Sequence, residues 1–201
     1  MTGGRIAVFL DRDGTINEEV DFLRTPDQLQ LIPGAAQAIR TLNISGLVTC
    51  VVSNQSGVAR GFLAEADLVP IHAKLARELK KEGAGIDGMY YCPHHPTEGI
   101  PPYNVPCDCR KPNTGMLKKG ERDFSIDLSR SFVVGDRIVD VQVGKAVGAL
   151  TVLVLTGYGM KAREECRAAL VEPDLIAPSI VEAVEFIMQH YKGEQSKNVP
   201  H

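Results

Sequence analysis

The sequence predicts one doubly wound α/β domain with a mainly parallel sheet. Two observations predict it. Short β-branched runs alternate with helical stretches, and four polar clusters follow those runs or close a long loop. Near-continuous apolar runs suit strands buried on both faces, as in a parallel sheet. Right-handed crossovers between them give a single open sheet with helices on both sides.

The first run, RIAVFL (5–10), reads as the opening strand and not as a signal peptide, because charges interrupt it within a few residues. PGAAQAIRTLNIS (33–45) reads as a helix with Pro33 in its first turn. LVTCVVS (47–53) is the second strand. EADLVPIHAKLARELKKEG (65–83) is a helix that stops at Gly83, with Pro70 marking a kink or the true first turn. GMYYC (88–92) is the third strand, and a long loop follows it. Helices are expected at roughly 114–123 and 138–147, and strands at SFVVG (131–135) and LTVLVL (150–155). A polar helical segment holds Cys166. A short strand near 174–177 and a helix at 179–190 close the domain, which is taken as residues 1–192. The polar stretch 193–201 is expected to be a frayed tail. No cap domain fits between residues 14 and 45 or between 57 and 86.

The chain has 201 residues, enough for one substantial core. Its 44% hydrophobic and 23% charged content is that of an ordinary globular protein. A formal charge of −3 without a basic block argues against nucleic acid or an anionic membrane as partner. No stretch approaches the ~20 apolar residues that span a bilayer, so a cytoplasmic location is expected. A monomer with a small molecule as partner is the working expectation, independent of that reading.

The chemistry-bearing clusters are Asp11 with Asp13, Ser53 with Asn54, Arg110 with Lys111, and Gly135-Asp136 with Asp140. Taken singly, each has an ordinary reading: a turn at Asp13-Gly14, caps at Ser53-Asn54 and Asp136, a solvated loop charge at Lys111. A parallel sheet would bring all four to one edge. Carboxylates, a hydroxyl, an amide and a lysine converging there would repel and desolvate unless a cation and an anion sat among them.

The long loop carries a second signal. Cys92 and His94, then twelve residues, then Cys107 and Cys109 offer three thiols and one imidazole. That is a closed Cys₃His zinc set, and closed sets are structural. His95 is the competing histidine, ranked second because an adjacent residue points elsewhere. The loop holds Pro93, Pro96, Pro101, Pro102 and Pro106, so a metal is a credible reason for it to be ordered. An odd total of five cysteines argues against a disulfide framework. Cys50 lies in an apolar run and reads as a small buried hydrophobe, and Cys166 is assigned no role.

The motif set DRDGT (11–15), Ser53, Lys111 and GDRIVD (135–140) resembles the haloacid dehalogenase superfamily of phosphotransferases, over nearly the whole chain. The resemblance implies a Rossmann-like fold. It implies Asp11 as the nucleophile that forms an aspartyl phosphate, and Asp13 as general acid and then base. That task needs Asp13 protonated at the first step, which crowding with Asp11 and a bound phosphate would favour. It implies Mg²⁺ held by Asp11, Asp136 and the backbone carbonyl of Asp13. Ser53, the Asn54 backbone and Lys111 would hold the transferring oxygens.

Within the superfamily, SNQSGVARG, YYCPHHP and CDCRKPNTGML are most similar to the heptose 1,7-bisphosphate phosphatases. Histidinol-phosphate phosphatases are the alternative, and a zinc-stabilised binding module without catalysis is the rival of another class. The resemblance implies a phosphorylated sugar as substrate, in ADP-heptose supply for lipopolysaccharide. Candidate substrate contacts are Glu19, Val20, Asp21, Phe22, Ser53, Asn54, Gln55, Ser56, Arg110, Lys111 and Arg137. Arg110 is expected to hold a second phosphate, since adjacent extended residues point to opposite sides.

Overall fold

In the computed structural model, which describes residues 4–197, six parallel strands form one sheet in the order β3-β2-β1-β4-β5-β6. They are β1 (Ala7–Leu10), β2 (Val48–Asn54), β3 (Gly88–Cys92), β4 (Phe132–Gly135), β5 (Leu150–Val154) and β6 (Leu175–Ala177). The helices are α1 (Ala35–Ile44), α2 (Leu68–Lys81), α3 (Gly115–Phe124), α4 (Ile138–Ala146), α5 (Gly159–Ala168) and α6 (Ile180–Lys197).

Strand alternation sorts the core into two faces. Val8 and Leu10 of β1 face a cluster with Ile39 and Leu42 of α1, Ile71 and Leu75 of α2, and Ile180 and Ile187 of α6. Ala7 and Phe9 face the other side, with Met116 and Leu117 of α3 and Val143 of α4. A smaller cluster joins Val141, Leu153, Ala162 and Cys166. Cys50 is buried in the second of these faces, as its apolar neighbours imply.

Several boundaries differ from expectation. Pro33 precedes α1, because Gly34 (φ 82°) is the N-cap and the first helical residue is Ala35. Pro70 is the third residue of α2 and so lies in its first turn, where its missing N–H costs nothing. Gly83 stands two residues past the end of α2 with φ 73°, a conformation that other residues rarely adopt. Helix α6 runs through Lys197, past the expected boundary at 192. Glu194, Gln195 and Lys197 are good helix formers, and no proline intervenes before Pro200. Residues 198–201 of the expected tail lie outside the described residues. No helix is long and apolar enough to cross a membrane among the described residues. No cap domain interrupts the segment between β1 and α1 or that between β2 and α2.

Strand order reverses between β1 and β4. The two pair in register over Val8–Leu10, and beyond them the Asp11 N–H still bonds the Val134 carbonyl at 2.9 Å. Chains diverge from such a switch point and leave a crevice at the carboxyl ends of the strands.

Candidate active site

The crevice holds a cavity of about 540 Å³. Its floor comes from the ends of β1 and β2 and from the loop before α3. Asp11, Asp13, Ser53 and Lys111 all line it. Lys111 is fully enclosed. Its Nζ lies 2.9 Å from Asp11 Oδ1 and 2.5 Å from an Asp140 oxygen, and it donates to the Val52 carbonyl at 2.7 Å. Burial alone would lower its pKa, but the charges of Asp11 and Asp140 hold it well above the usual lysine value. The Lys111 backbone is clamped by Asn54, whose side-chain Nδ2 donates to its carbonyl at 3.0 Å and whose Oδ1 accepts its N–H at 3.0 Å. Asn54, expected to act through its backbone, therefore also positions the lysine with its side chain.

Asp11, Asp136 and Asp140 bring carboxylate oxygens within 4.8 Å of one another, all buried. If all three were ionised, the ammonium of Lys111 would leave two negative charges unbalanced. Asp136 Oδ2 accepts the Tyr158 N–H at 2.8 Å, while its buried Oδ1 has no hydrogen-bond partner. Burial first, then the charges of Asp11 and Asp140, push Asp136 up to about 8. Burial likewise raises Asp140, to about 6, against the pull of Lys111. Carboxyls raised by one another's charge and an orphaned carboxylate oxygen fit a hard divalent cation, which would hold all three ionised. The structure adds Asp140 to the expected pair of Asp11 and Asp136. Asp13 does not bring its carboxylate into this group.

Two glycines make that packing possible. Gly14 (φ 78°) and Gly157 (φ 55°) pack against each other beside Asp136, and a Cβ on either would lie within about 2.2 Å of its Oδ2. The glycine after Asp13 thus serves both a left-handed turn and a close approach.

Asp13 is held by four donors. Arg12 Nε and Nη2 donate to its two oxygens at 3.0 and 2.7 Å. Asn17 Nδ2 donates to Oδ1 at 2.9 Å and Gln55 Nε2 to Oδ2 at 3.0 Å. Burial pushes the carboxyl up, but the Arg12 charge and these bonds outweigh it and hold Asp13 below the usual carboxylate range. The resting state is ionised because four donors face it. The expected protonation belongs to the step at which a phosphate is bound, when that anion joins Asp11 against the Arg12 charge.

The rim of the cavity is charged and aromatic. Glu19, Asp21, Phe22, Gln55, Ser56, Arg110 and Arg137 line it as expected, but Val20 does not and is surface-exposed. The chain bends after it, with positive φ at Asp21 (44°) and Phe22 (69°), and Val20 stays on the outside of that bend. Arg137 lies 3.7 Å from Glu19 and stacks over the Tyr158 ring at 3.9 Å, and the Tyr158 hydroxyl bonds Asp21. Burial, then the Asp13 charge, raise the Glu19 pKa despite Arg137. Arg110 Nη1 donates to the His94 carbonyl at 3.0 Å. Arg60, Tyr158 and Lys161 also line the cavity, and no motif in the sequence marks them. Arg12, wholly buried, lay unread between the two aspartates that drew attention.

Cys92, His94, Cys107 and Cys109 form one cluster. Cys92 Sγ is 3.7 Å from His94 Nδ1 and 3.5 Å from Cys107 Sγ, and Cys109 Sγ is 3.5 Å from His94 Nδ1 and 3.3 Å from Cys107 Sγ. Metal–sulfur and metal–nitrogen bonds of zinc place tetrahedral ligands roughly 3.5–3.8 Å apart, so this donor set fits Zn²⁺. His95 is outside it, its Nδ1 accepting the Glu98 N–H at 3.0 Å. The loop is braced from α2's side by Glu65, which accepts from Tyr91 and Tyr103 hydroxyls at 3.0 and 2.8 Å.

The HAD-hydrolase-like family model matches residues 108–183. The chain is 42% identical over 190 residues to the D-glycero-D-manno-heptose-1,7-bisphosphate 7-phosphatase of Thermosynechococcus vestitus, covering 92% of this chain and 97% of that one. It is 38% identical to the D-glycero-beta-D-manno-heptose-1,7-bisphosphate 7-phosphatase of Haemophilus ducreyi, covering 92% and 99%. Among solved structures it is similar to the D,D-heptose 1,7-bisphosphate phosphatase of B. bronchiseptica complexed with magnesium and phosphate. That match has a TM-score of 0.81 and 34% identity, and covers 92% of this chain and 98% of that one.

Proposed function

The chain belongs to the D-glycero-D-manno-heptose-1,7-bisphosphate 7-phosphatase family of HAD-like hydrolases, and on that premise we propose how it removes the C7 phosphate of its sugar bisphosphate. The observation that carries the reading is the placement of Asp11 and Lys111 on the floor of a cavity whose rim bears Arg60, Arg110 and Arg137. One phosphate is consumed at the floor, and the guanidinium groups offer a place for the other.

An Asp11 oxygen attacks phosphorus, forming the aspartyl phosphate as the bond to the sugar oxygen breaks. Asp13, which takes up a proton from solvent as the anionic phosphate binds beside it, hands that proton to the sugar oxygen and later takes one from the water that hydrolyses the aspartyl phosphate. Lys111 and the Ser53 hydroxyl stabilise the transferring oxygens. For Lys111 this means exchanging one of its three internal contacts for a phosphoryl oxygen. Asp11, Asp136 and the Asp13 backbone carbonyl would hold Mg²⁺, with Asp140 balancing Lys111 beside them. When bound, the cation supplies charge neutralisation between the nucleophile and the phosphate.

Cys92, His94, Cys107 and Cys109 would hold Zn²⁺ as a closed structural site. Burial pushes the Cys92 thiol up, so a cation there offsets the cost of keeping it as thiolate. That site fixes the loop that delivers Arg110 and Lys111 to the cavity. The test is phosphate release from heptose bisphosphate anomers, fructose bisphosphate and histidinol phosphate, with the remaining phosphate located by NMR. Release from C7 of the heptose is expected. Preference for histidinol phosphate would overturn the substrate reading.

A further inference from the structure

Asp13 is enclosed in a way that its role does not by itself explain. Its four acceptor positions are filled by Arg12, Asn17 and Gln55. Arg12 and Asn17 are wholly buried. Gln55 alone among these donors lines the cavity. Its Nε2 donates both to Asp13 Oδ2 at 3.0 Å and to Ser53 Oγ at 2.7 Å, while its Oε1 accepts from Arg12 Nη2 at 3.1 Å. The amide can sit only this way round. Reversed, its oxygen would face the Asp13 carboxylate and its NH₂ would face the Arg12 guanidinium.

We propose that Gln55, held by Arg12, is a positioning residue that links the phosphate-binding Ser53 to the proton-transferring Asp13. The link works at both ends. A donor on Ser53 Oγ occupies one lone pair of the hydroxyl and leaves its proton for a phosphoryl oxygen. A donor on Asp13 Oδ2 fixes the carboxyl plane against the rigid Arg12 fork. Because both bonds come from one NH₂ group, a phosphate that shifts Ser53 also shifts the group on Asp13. An aspartate with all its lone pairs bonded must release one donor to carry a proton, and Gln55 is the one at the cavity wall.

This inference rests on Asp13 being the acid that protonates the leaving group, and its test separates the two. A sugar alkoxide needs that proton, whereas 2,4-dinitrophenolate leaves without it. Asp13→Asn should therefore lower the ratio of kcat/KM on the sugar ester to kcat/KM on dinitrophenyl phosphate by about a hundredfold or more, the scale of general acid catalysis, since kcat/KM reports phosphoryl transfer and not the later hydrolysis of the shared aspartyl phosphate. Gln55→Met keeps the side-chain length, loses all three bonds, and should lower the same ratio about tenfold. Arg12→Lys, which breaks the fork, should act in the same direction. If Arg12→Lys does not fold, Gln55→Met decides alone. Equal losses on both esters for Gln55→Met, beside an unequal loss for Asp13→Asn, would overturn the positioning role. Equal losses for Asp13→Asn would instead overturn the assignment of Asp13.

Discussion

Replacing Lys111 by alanine removes the one cation from a buried cluster of three carboxylates. At the effective dielectric suited to protein sites, each contact at 2.5–2.9 Å is worth about 6 kcal/mol before desolvation. Burying the ions offsets much of that, and removing one partner of a buried pair typically costs about 3–5 kcal/mol. The cost should depend on pH. Lys111 stays charged throughout the acidic and neutral range, since its contribution is lost only as pH rises through a value above the ordinary one. The carboxylates behave otherwise. Asp136 and Asp140 have folded-state values raised to about 8 and about 6. A raised carboxyl destabilises the fold increasingly as pH rises from its unfolded value toward the folded one. Without Lys111 the Asp140 carboxyl rises further, so the penalty should be small at pH 5 and large at pH 8. Urea unfolding of Lys111→Ala and the parent protein, in chelator at both pH values, checks this. Mg²⁺ should restore more stability to the variant than to the parent, because no ammonium then offsets the carboxylates that the cation would hold ionised. Turnover should nevertheless fall at least a hundredfold, since the charge opposite the transferring phosphate is gone. A stability loss that does not change with pH, or Mg²⁺ binding weaker in the variant than in the parent, would refute the cluster as described.

Asp11→Asn should abolish turnover with the fold intact, and more than about a hundredth of the activity remaining would remove it as nucleophile. Zinc should co-purify at about one per chain and be lost in Cys107→Ser, as elemental analysis would show. Proteolysis of the loop at 92–110 should quicken in that variant. Arg110→Ala should raise KM for a bisphosphate and barely change monophosphate hydrolysis, because its guanidinium would hold the group that does not react. Equal effects on both substrates would place Arg110 in a purely structural tie to His94.

Fold class, strand sequence and the clusters at strand ends follow from local pattern. Apolar runs of strand length, helix stops at Gly83 and the spacing of Cys92, His94, Cys107 and Cys109 need no partner to be read. A turn glycine such as Gly14 is also visible locally, but its pressure on Asp136 is not. What the chain alone could not show were relations between distant segments. Tyr158 lies 22 residues from Asp136 and 137 from Asp21, yet it bonds both. Arg60 and Lys161 look like ordinary surface charges until the sheet turns them toward one crevice. The Arg12 fork on Asp13 went unseen for a related reason. Sequence order put Arg12 beside it, but a strand's alternation suggests that neighbours point apart. Beyond the last β1 residue that alternation ends, and the buried guanidinium folds back onto the carboxylate beside it. A side chain's partners are set by the packing of whole elements, and charge follows from partners. So the sequence determined which groups are present and at which edge of the sheet, while only the tertiary structure decided which of them are ionised, paired and free to react.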